Sequence, residues 1–195
     1  MSFAQNDEAF VDTMVAQKMA ELEMQGNLEY FVRKSYCEGN IQMFILPNGK
    51  MCTSKSTYFT TFIFWKDAME NMMIQKFDNC GRFTSITIPI NKAILKSLKD
   101  RQALKIGEVK PYKGAEVDGN PFGNMSVESC HKEYKFAFGN ETFDKSFKEF
   151  DLSNDSKYKN LNAKHNQSLQ LIILDKKLSN VLHEVEEAGK FIREN

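Results

Sequence analysis

The first pattern along the chain is that of an amphipathic helix. Apolar side chains recur every three or four positions from Phe10 to Leu22, a spacing that places them on one helical face. Asn6 precedes this pattern as an N-cap residue, and Gly26 follows it as a stop signal. The sequence therefore predicts an N-terminal helix, and the acidic residues between its apolar positions predict an acidic outer face.

From residue 28 onward the apolar positions follow strand patterns. Extended segments are predicted over 28–36 and 41–46. The Asn48-Gly49 pair that follows the second segment is typical of a tight hairpin turn. The β-branched and aromatic residues of 57–65 and 83–90 predict two further strands.

Helical spacing returns at several places further along the chain. It predicts a helix over 67–77, one that begins after Asn91, a short one that Asn140 caps, and a C-terminal helix from Leu178 to Ile192. Residues 133–138 predict a strand, and 169–174 fit either a strand or the first turns of a helix. Residues 105–126 and 151–167 are predicted to be loops, the first glycine-rich and the second polar and exposed.

Together these elements predict one domain over residues 1–195. It comprises the N-terminal helix (1–27), a β-rich core over about 28–138 and a helical C-terminal segment (139–195). Neither an internal repeat nor a linker divides the chain. The predicted fold class is α+β, with a mainly antiparallel sheet or an OB-like barrel flanked by N- and C-terminal amphipathic helices.

Composition and charge narrow the class of protein. Of the 195 residues 42% are hydrophobic and 27% are charged, which is an ordinary globular balance. The 26 basic residues equal the 26 acidic ones, so the chain as a whole is neither a polycation nor a polyanion.

The longest apolar runs are far shorter than the roughly 20 residues that span a bilayer, and the N-terminus lacks the features of a signal peptide. The sequence therefore predicts a cytoplasmic protein without a membrane partner, and its excess of lysine over arginine is typical of AT-rich phage and bacterial genomes.

The four cysteines lie far apart in the sequence. Cys37, Cys52, Cys80 and Cys130 include no closely spaced pair of the kind that binds zinc, and they are too sparse for a small secreted disulfide framework. They are therefore interpreted as reduced, partly buried thiols, in keeping with a cytoplasmic location.

No complete catalytic, cofactor or metal motif is present. Cys130 and His131 are adjacent, but neighbours on a strand point to opposite faces and do not readily form a thiolate–imidazolium pair. Acidic clusters are interpreted as solvated helix faces, and the glycines of 114–123 match no phosphate-binding motif. No catalytic, cofactor or metal residue is therefore assigned, and an enzyme with an unfamiliar site around Cys130, His131 or His183 is kept as the third hypothesis.

Basic residues interleaved with aromatic ones are the most distinctive chemical pattern. Residues 92–113 contain seven basic residues against two acidic ones. Proteins that bind single-stranded nucleic acid combine such lysines, which follow phosphates, with aromatic rings that stack on bases. The predicted contacts are Lys92, Lys96, Lys99, Tyr112 and Lys113, with Tyr58, Trp65 and Tyr134 as stacking residues.

Three segments resemble phage single-stranded-DNA-binding proteins of the OB-fold type. They are FTSITIPINKAILKSLKD, PYKGAEVDGNPFGN and KHNQSLQLIILDKK, which occur in the family's order and cover less than a third of the chain. The resemblance implies an OB-like barrel that coats single strands during replication. The family ends in an acidic tail with a terminal aromatic residue, whereas this chain ends in GKFIREN.

The leading hypothesis is a non-enzymatic phage or bacterial protein that binds single-stranded DNA or RNA through the basic and aromatic residues. The alternative is a protein–protein interaction module, such as a small inhibitor or an assembly factor. Ten methionines and two terminal amphipathic helices favour it, because methionine-rich faces adapt to partners. The apolar seam of the C-terminal helix is also a candidate homodimer surface.

Overall fold

The computed structural model describes residues 7–89, 92–114, 129–154 and 159–194. The helices are α1 (Glu8–Met24), α2 (Lys92–Lys99), α3 (Arg101–Ile106), α4 (Ala163–Ser168) and α5 (Gln170–Glu187), with a 3-10 helix at Glu149–Leu152. The strands are β1 (Glu29–Cys37), β2 (Met43–Ile45), β3 (Met51–Thr53), β4 (Phe59–Lys66), β5 (Met72–Asp78), β6 (Gly81–Arg82), β7 (Ile86–Thr87), β8 (Cys130–Phe138) and β9 (Glu141–Lys148). The predicted caps Asn6 and Asn91, and part of each predicted loop, lie outside the described residues. The Asp7 side chain caps α1 by accepting a hydrogen bond from the Phe10 backbone.

A seven-stranded antiparallel sheet forms the centre of the fold. Its strand order is β6-β5-β4-β1-β8-β9, and β7 also pairs with β5. Strands β2 and β3 form a separate hairpin around the predicted Asn48-Gly49 turn, where Gly49 has a φ of 76°. The predicted α+β class with an antiparallel sheet and two terminal helices is confirmed. The OB-like barrel is wrong, because the outer strands of the described sheet do not pair with each other.

Helices cover the sheet on both sides. On one side α1 packs on the first core cluster, whose sheet residues are Tyr30, Val32, Phe59, Ile63, Trp65, Phe77 and Ala137. On the other side α2, α3 and α5 pack on the second core cluster, whose sheet residues include Phe31, Phe62, Phe64, Ile74, Tyr134 and Phe136. Because β4 is buried on both faces, its residues 62–65 form a continuous apolar run rather than an alternation.

The helix predicted over 67–77 is wrong, because β5 occupies most of this segment. Asp67 accepts a hydrogen bond of 2.8 Å from the Asn71 backbone and forms a tight turn after β4. Ile74 is buried in the second core cluster and Phe77 in the first, on opposite sides of the sheet. Burial on both faces puts apolar residues at spacings that imitate a helix.

The short helix predicted after Asn140 is also wrong. Asn140 lies in the two-residue turn of a hairpin between β8 and β9, so it caps no helix. Phe143 and Phe147 share one face of β9, because a separation of four residues is in phase with a strand as well as with a helix. The sheet therefore extends to Lys148, past the predicted end of the β-rich core.

The strand predicted over 83–90 is mostly irregular, since only β7 pairs with β5. Phe83 instead pairs with Arg193 in an isolated bridge. The C-terminal helix ends at Glu187 rather than continuing to Ile192. The chain then crosses to β6 as an extended segment, 191–194, which we call the C-terminal strap. Two backbone hydrogen bonds of 2.8 and 2.9 Å join this strap to the chain around β6.

The polar segment predicted as the exposed loop 151–167 is partly folded. It contains the end of the 3-10 helix and most of α4, and residues 169–174 belong to α5 and the residue before it. Asn166 is buried, and its side-chain amide bonds the backbone N–H and C=O of Lys110 at 2.9 and 2.8 Å. Asn160 accepts a hydrogen bond from the backbone of Lys113 at 3.2 Å. Both asparagines satisfy backbone groups of residues 110–113, which belong to no regular element.

A buried charged network joins α5 to the sheet. Asp175 of α5 is 4% exposed and lies 2.9 Å from Nε of Arg33, which is 5% exposed on β1. Its carboxylate also accepts from the Tyr134 hydroxyl at 2.6 Å and from Lys132 Nζ at 2.9 Å. Arg33 further donates to the Ser179 hydroxyl at 2.9 Å. These bonds satisfy both oxygens of the carboxylate, as burial of a charge requires.

Ionisation in this network is fixed by two opposing effects. Burial favours the neutral form of Asp175, but the charges of Arg33 and Lys132 outweigh it and hold the pKa of this carboxyl below its ordinary value. Burial also raises the pKa of the Tyr134 phenol well above its ordinary value. Asp175 is therefore an anion and Tyr134 a neutral donor at physiological pH.

The D175N variant tests the contribution of this network to stability. Removal of the negative charge leaves the buried Arg33 without its ion-pair partner, whereas Lys132 keeps Glu149 at 2.8 Å, so we expect the free energy of unfolding to fall by about 3–5 kcal/mol. Urea denaturation measures this change. The matched control D144N alters an exposed aspartate of β9, and we expect a change within about 0.5 kcal/mol. Equal losses in the two variants would contradict the assigned role.

The same network predicts a dependence of stability on pH. Because the pKa of Asp175 is lowered in the folded state, its stabilising contribution is complete above the ordinary aspartate pKa of about 3.9. It is lost as the pH falls through the lowered value. The difference in unfolding free energy between wild type and D175N should therefore shrink in acid, and a constant difference would argue against this explanation.

Candidate interaction surfaces

Helix α2 brings three of the predicted contact residues together. Lys92, Lys96 and Lys99 are exposed, while Ile94 of the same helix is buried against the second core cluster. None of the ion pairs among the described residues involves these three lysines. We call them the α2 lysine face. Lys113 is also exposed, but it lies outside α2.

The predicted aromatic residues do not join the α2 lysine face. Tyr134 is 2% exposed and belongs to the buried charged network, whereas Trp65 is 8% exposed and lies under α1 on the opposite side of the sheet. Tyr58 donates a hydrogen bond of 3.0 Å to Asp78, and Tyr112 packs with its ring centre 4.7 Å from that of Phe150. The structure therefore places these rings in separate, largely internal surroundings.

The hairpin of β2 and β3 presents a surface that the sequence did not single out. Met43, Ile45 and Met51 are 60, 81 and 68% exposed, and Ile45 lies directly opposite Met51 in the ladder. Ile41, just before β2, is 56% exposed. We call these four residues the apolar hairpin face. The Asn48-Gly49 signal predicts the hairpin, but alternation alone does not say which of its faces the rest of the protein covers.

The opposite face of this hairpin is anchored to the protein. Cys52 is 5% exposed and forms a disulfide with Cys80, which follows β5. Phe44 packs its ring 5.3 Å from that of Tyr58, and Arg193 lies 5.6 Å above the Phe44 ring. The hairpin is therefore held in place by its inner face, and its outer face is presented in one orientation.

Arg193 joins the C-terminal strap to this region. Its guanidinium makes two hydrogen bonds, of 2.6 and 2.7 Å, to the two oxygens of Asp78, which is fully buried. The same guanidinium lies 4.2 Å from the centre of the Phe83 ring. A bidentate pair of this kind fixes orientation as well as distance. The strap, the hairpin and the end of β5 therefore meet at one buried carboxylate.

The sequence predicted four reduced thiols, and this prediction is wrong, because the cysteines form two disulfides. Cys37 and Cys130 face each other across β1 and β8 and form one disulfide, and Cys52–Cys80 is the other. Spacing along the chain did not indicate these pairs, because the strand pairing that joins Cys37 to Cys130 connects residues 93 positions apart.

The candidate catalytic residues are not assembled into a nucleophilic site. Cys130 is bound in a disulfide and offers no thiolate, and His183 lies exposed on α5 beside Glu187. His131 Nε2 lies 2.5 Å from the Ser129 hydroxyl and 3.1 Å from Glu38, so both groups approach the same ring nitrogen. A Ser-His-acid triad instead uses both nitrogens.

In the part of the chain that the structure describes, no group of three metal-ligating side chains is positioned to hold an ion. None of the helices in that part has the length and apolarity needed to cross a bilayer.

A thiol assay checks the disulfides. In denaturant without reductant we expect no free thiol, and four after reduction. The C52A/C80A variant should lose about 2–4 kcal/mol of unfolding free energy, because this bridge closes a loop in the unfolded chain. Four reactive thiols in the unreduced protein would contradict the assignment.

Comparison of the chain with protein-family models, with curated proteins and with solved structures finds no match. The functional interpretation therefore depends on the surfaces themselves.

Proposed function

We propose that this protein is a non-enzymatic interaction module that binds a partner protein through the apolar hairpin face. The observation that carries this proposal is the exposure of Met43, Ile45 and Met51, at 60, 81 and 68%, on one side of a regular β-hairpin. Single exposed apolar residues are common, but a contiguous apolar group on an ordered element is typical of a binding surface.

The anchoring of the hairpin supports a binding role. Its inner residue Cys52 is fixed by a disulfide, and Phe44 lies between Tyr58 and Arg193. A loop that is already ordered loses little conformational entropy when it binds, and affinity rises accordingly.

The expected partner is a different protein with an apolar groove. Strands β2 and β3 have three residues each, and among the described strands they pair only with each other, so the hairpin is narrow. Two such ribbons packed face to face would fall well below the roughly 800 Å² per partner of a standard interface. A groove contacts both the face and the edges of the ribbon, and so buries more of it.

The disulfides bear on where this binding takes place. Structural disulfides persist in oxidising compartments and are rare in the cytoplasm. We therefore propose an oxidising environment rather than the cytoplasmic location that the sequence predicted. Such an environment supports a role in binding proteins more than one in coating nucleic acid inside a cell.

Substitution of Ile45 by Asp tests the hairpin proposal. A photo-reactive amino acid replaces Met43 in the cells that produce the protein, and cross-linking captures the partner. The identified partner is then purified, and its affinity for each variant is measured by titration. We expect I45D to weaken binding by about 30-fold or more, as for a central hot-spot residue. The matched control M69D changes a methionine that is 79% exposed in the turn before β5, and it should leave the affinity unchanged.

Three outcomes would overturn the proposal. One is the absence of any adduct from position 43. Another is an equal loss of affinity in I45D and M69D, which would indicate a general effect of added charge. Adducts that link only two copies of this chain would show a homodimer in place of a different partner.

A second candidate function is the binding of a polyanion, such as single-stranded nucleic acid, through the α2 lysine face. The observation that favours it is the exposure of Lys92, Lys96 and Lys99 on one helix without an ion pair to any described carboxylate. Because Trp65 and Tyr134 are buried, this binding would use phosphate contacts rather than base stacking.

Charge reversal on α2 distinguishes this candidate. We expect the anisotropy of a labelled single-stranded oligonucleotide to show binding that weakens with salt. The double variant K92E/K96E should lower the slope of log affinity against log salt by about 1.4, since each phosphate contact with a single strand contributes about 0.7. The control K50E/K55E makes the same change of net charge at exposed lysines near the hairpin. No binding at low salt, or equal effects of both double variants, would exclude the α2 lysine face as the site.

A further inference from the structure

A cavity of about 280 Å³ lies at one end of the sheet, under helix α2. It is bounded by the C-terminal half of α2, the first residue of α3, and the ends of β1, β4 and β8. Its apolar walls are formed by Phe31, Phe64, Met72, Leu95, Leu98 and Phe138. Pockets that bind small molecules are mostly apolar and contain a few polar groups that fix the orientation of the ligand.

Charged residues surround the mouth of this cavity. Arg101 donates to the Glu29 carboxylate at 2.7 Å and lies 4.3 Å from the centre of the Phe138 ring. Lys66 forms an ion pair with Glu70. Lys99 is exposed and makes no ion pair with a carboxylate among the residues described. The mouth therefore has one positive charge that no carboxylate of the described residues neutralises.

We propose that this cavity binds a free monocarboxylate with a medium-length alkyl chain. The chain would lie against Leu95, Leu98 and Phe138, the partly exposed apolar residues of the lining, and the carboxylate would accept a hydrogen bond from Lys99 Nζ. One unneutralised cation matches a singly charged carboxylate better than a doubly charged phosphate. The cavity is close to the lower limit of about 300 Å³ for ligand pockets, which indicates a short ligand.

The affinity for such a ligand has two contributions that can be measured separately, one from the alkyl chain and one from the carboxylate. Burial of the chain should raise the affinity by about fourfold for each methylene until the cavity is full. The contact with Lys99 should depend on the charge of the head group and not on the chain. The hairpin and its partner have no part in either contribution, so this proposal does not depend on the proposed function.

Octanoate is the probe, and isothermal titration calorimetry is the readout. The Trp65 ring packs under α1 on the other side of the sheet, so the heat of binding is measured in place of its fluorescence. Octanol retains the chain without the charge, and acetate retains the charge without the chain. We expect octanoate to bind more tightly than octanol, and acetate not to bind.

The variant K99Q should weaken octanoate binding by about fivefold and leave octanol binding unchanged. Lys96 is exposed on the same helix but does not line the cavity. The control K96Q should therefore change the affinity for neither octanoate nor octanol. Because both lysines are at the surface, both variants should fold. Three outcomes would overturn the proposal: no saturable response to octanoate, equal affinities for octanoate and octanol, or the same loss in K96Q as in K99Q.

Discussion

The ion pair between Arg33 and Asp175 is the constraint on which the arrangement of layers depends. A charge at the centre of a sheet is tolerated only if its partner is held at hydrogen-bonding distance, and here that partner comes from α5, 142 residues later in the chain. The apolar face of α5 supplies most of the burial energy, but apolar contacts alone permit a helix to slide or rotate. Asp175 removes that freedom, because only one position of α5 satisfies Arg33, Lys132 and Tyr134 together.

A second buried carboxylate, Asp78, has the same role at the edge of the sheet. Both of its oxygens are bound by Arg193, and it also accepts from Tyr58. The hairpin and the strap are short, whereas β5 belongs to the central sheet and is buried in both core clusters. Charge pairing and the Cys52–Cys80 disulfide replace a core in this region. The inner face of the hairpin and the disulfide fix the hairpin in place. The apolar hairpin face therefore stays exposed to solvent although the hairpin is rigid.

The sequence predicted the fold class because the strongest local signals agree with the structure. The apolar run over β4 and the Asn48-Gly49 turn both have local causes, and so has α1. The failures at β5 and β9 have different causes. Strand β5 is buried on both faces, and its apolar spacing therefore imitates a helix. In β9, Phe143 and Phe147 are in phase with both a helix and a strand, and the pairing with β8 decides between them. The hairpin face and the disulfides could not be predicted, since both are set by which segments meet in three dimensions. The exposed lysines of α2 were identified, whereas the aromatic residues expected beside them are needed inside the protein.

The net charge is zero, but carboxylates and lysines have different roles in the structure. Several carboxylates have structural tasks: Asp7 and Asp100 cap helices, Asp67 closes a turn, and Glu23 accepts a hydrogen bond from Tyr30. Lysines cannot perform these tasks, because an ammonium group donates and does not accept. These carboxylates are therefore placed where a backbone or hydroxyl donor needs an acceptor, whereas the three lysines of α2 have no such task and lie together on one helix. A balanced composition excludes a uniformly basic protein, but it does not exclude a locally basic surface, and the α2 lysine face is such a surface.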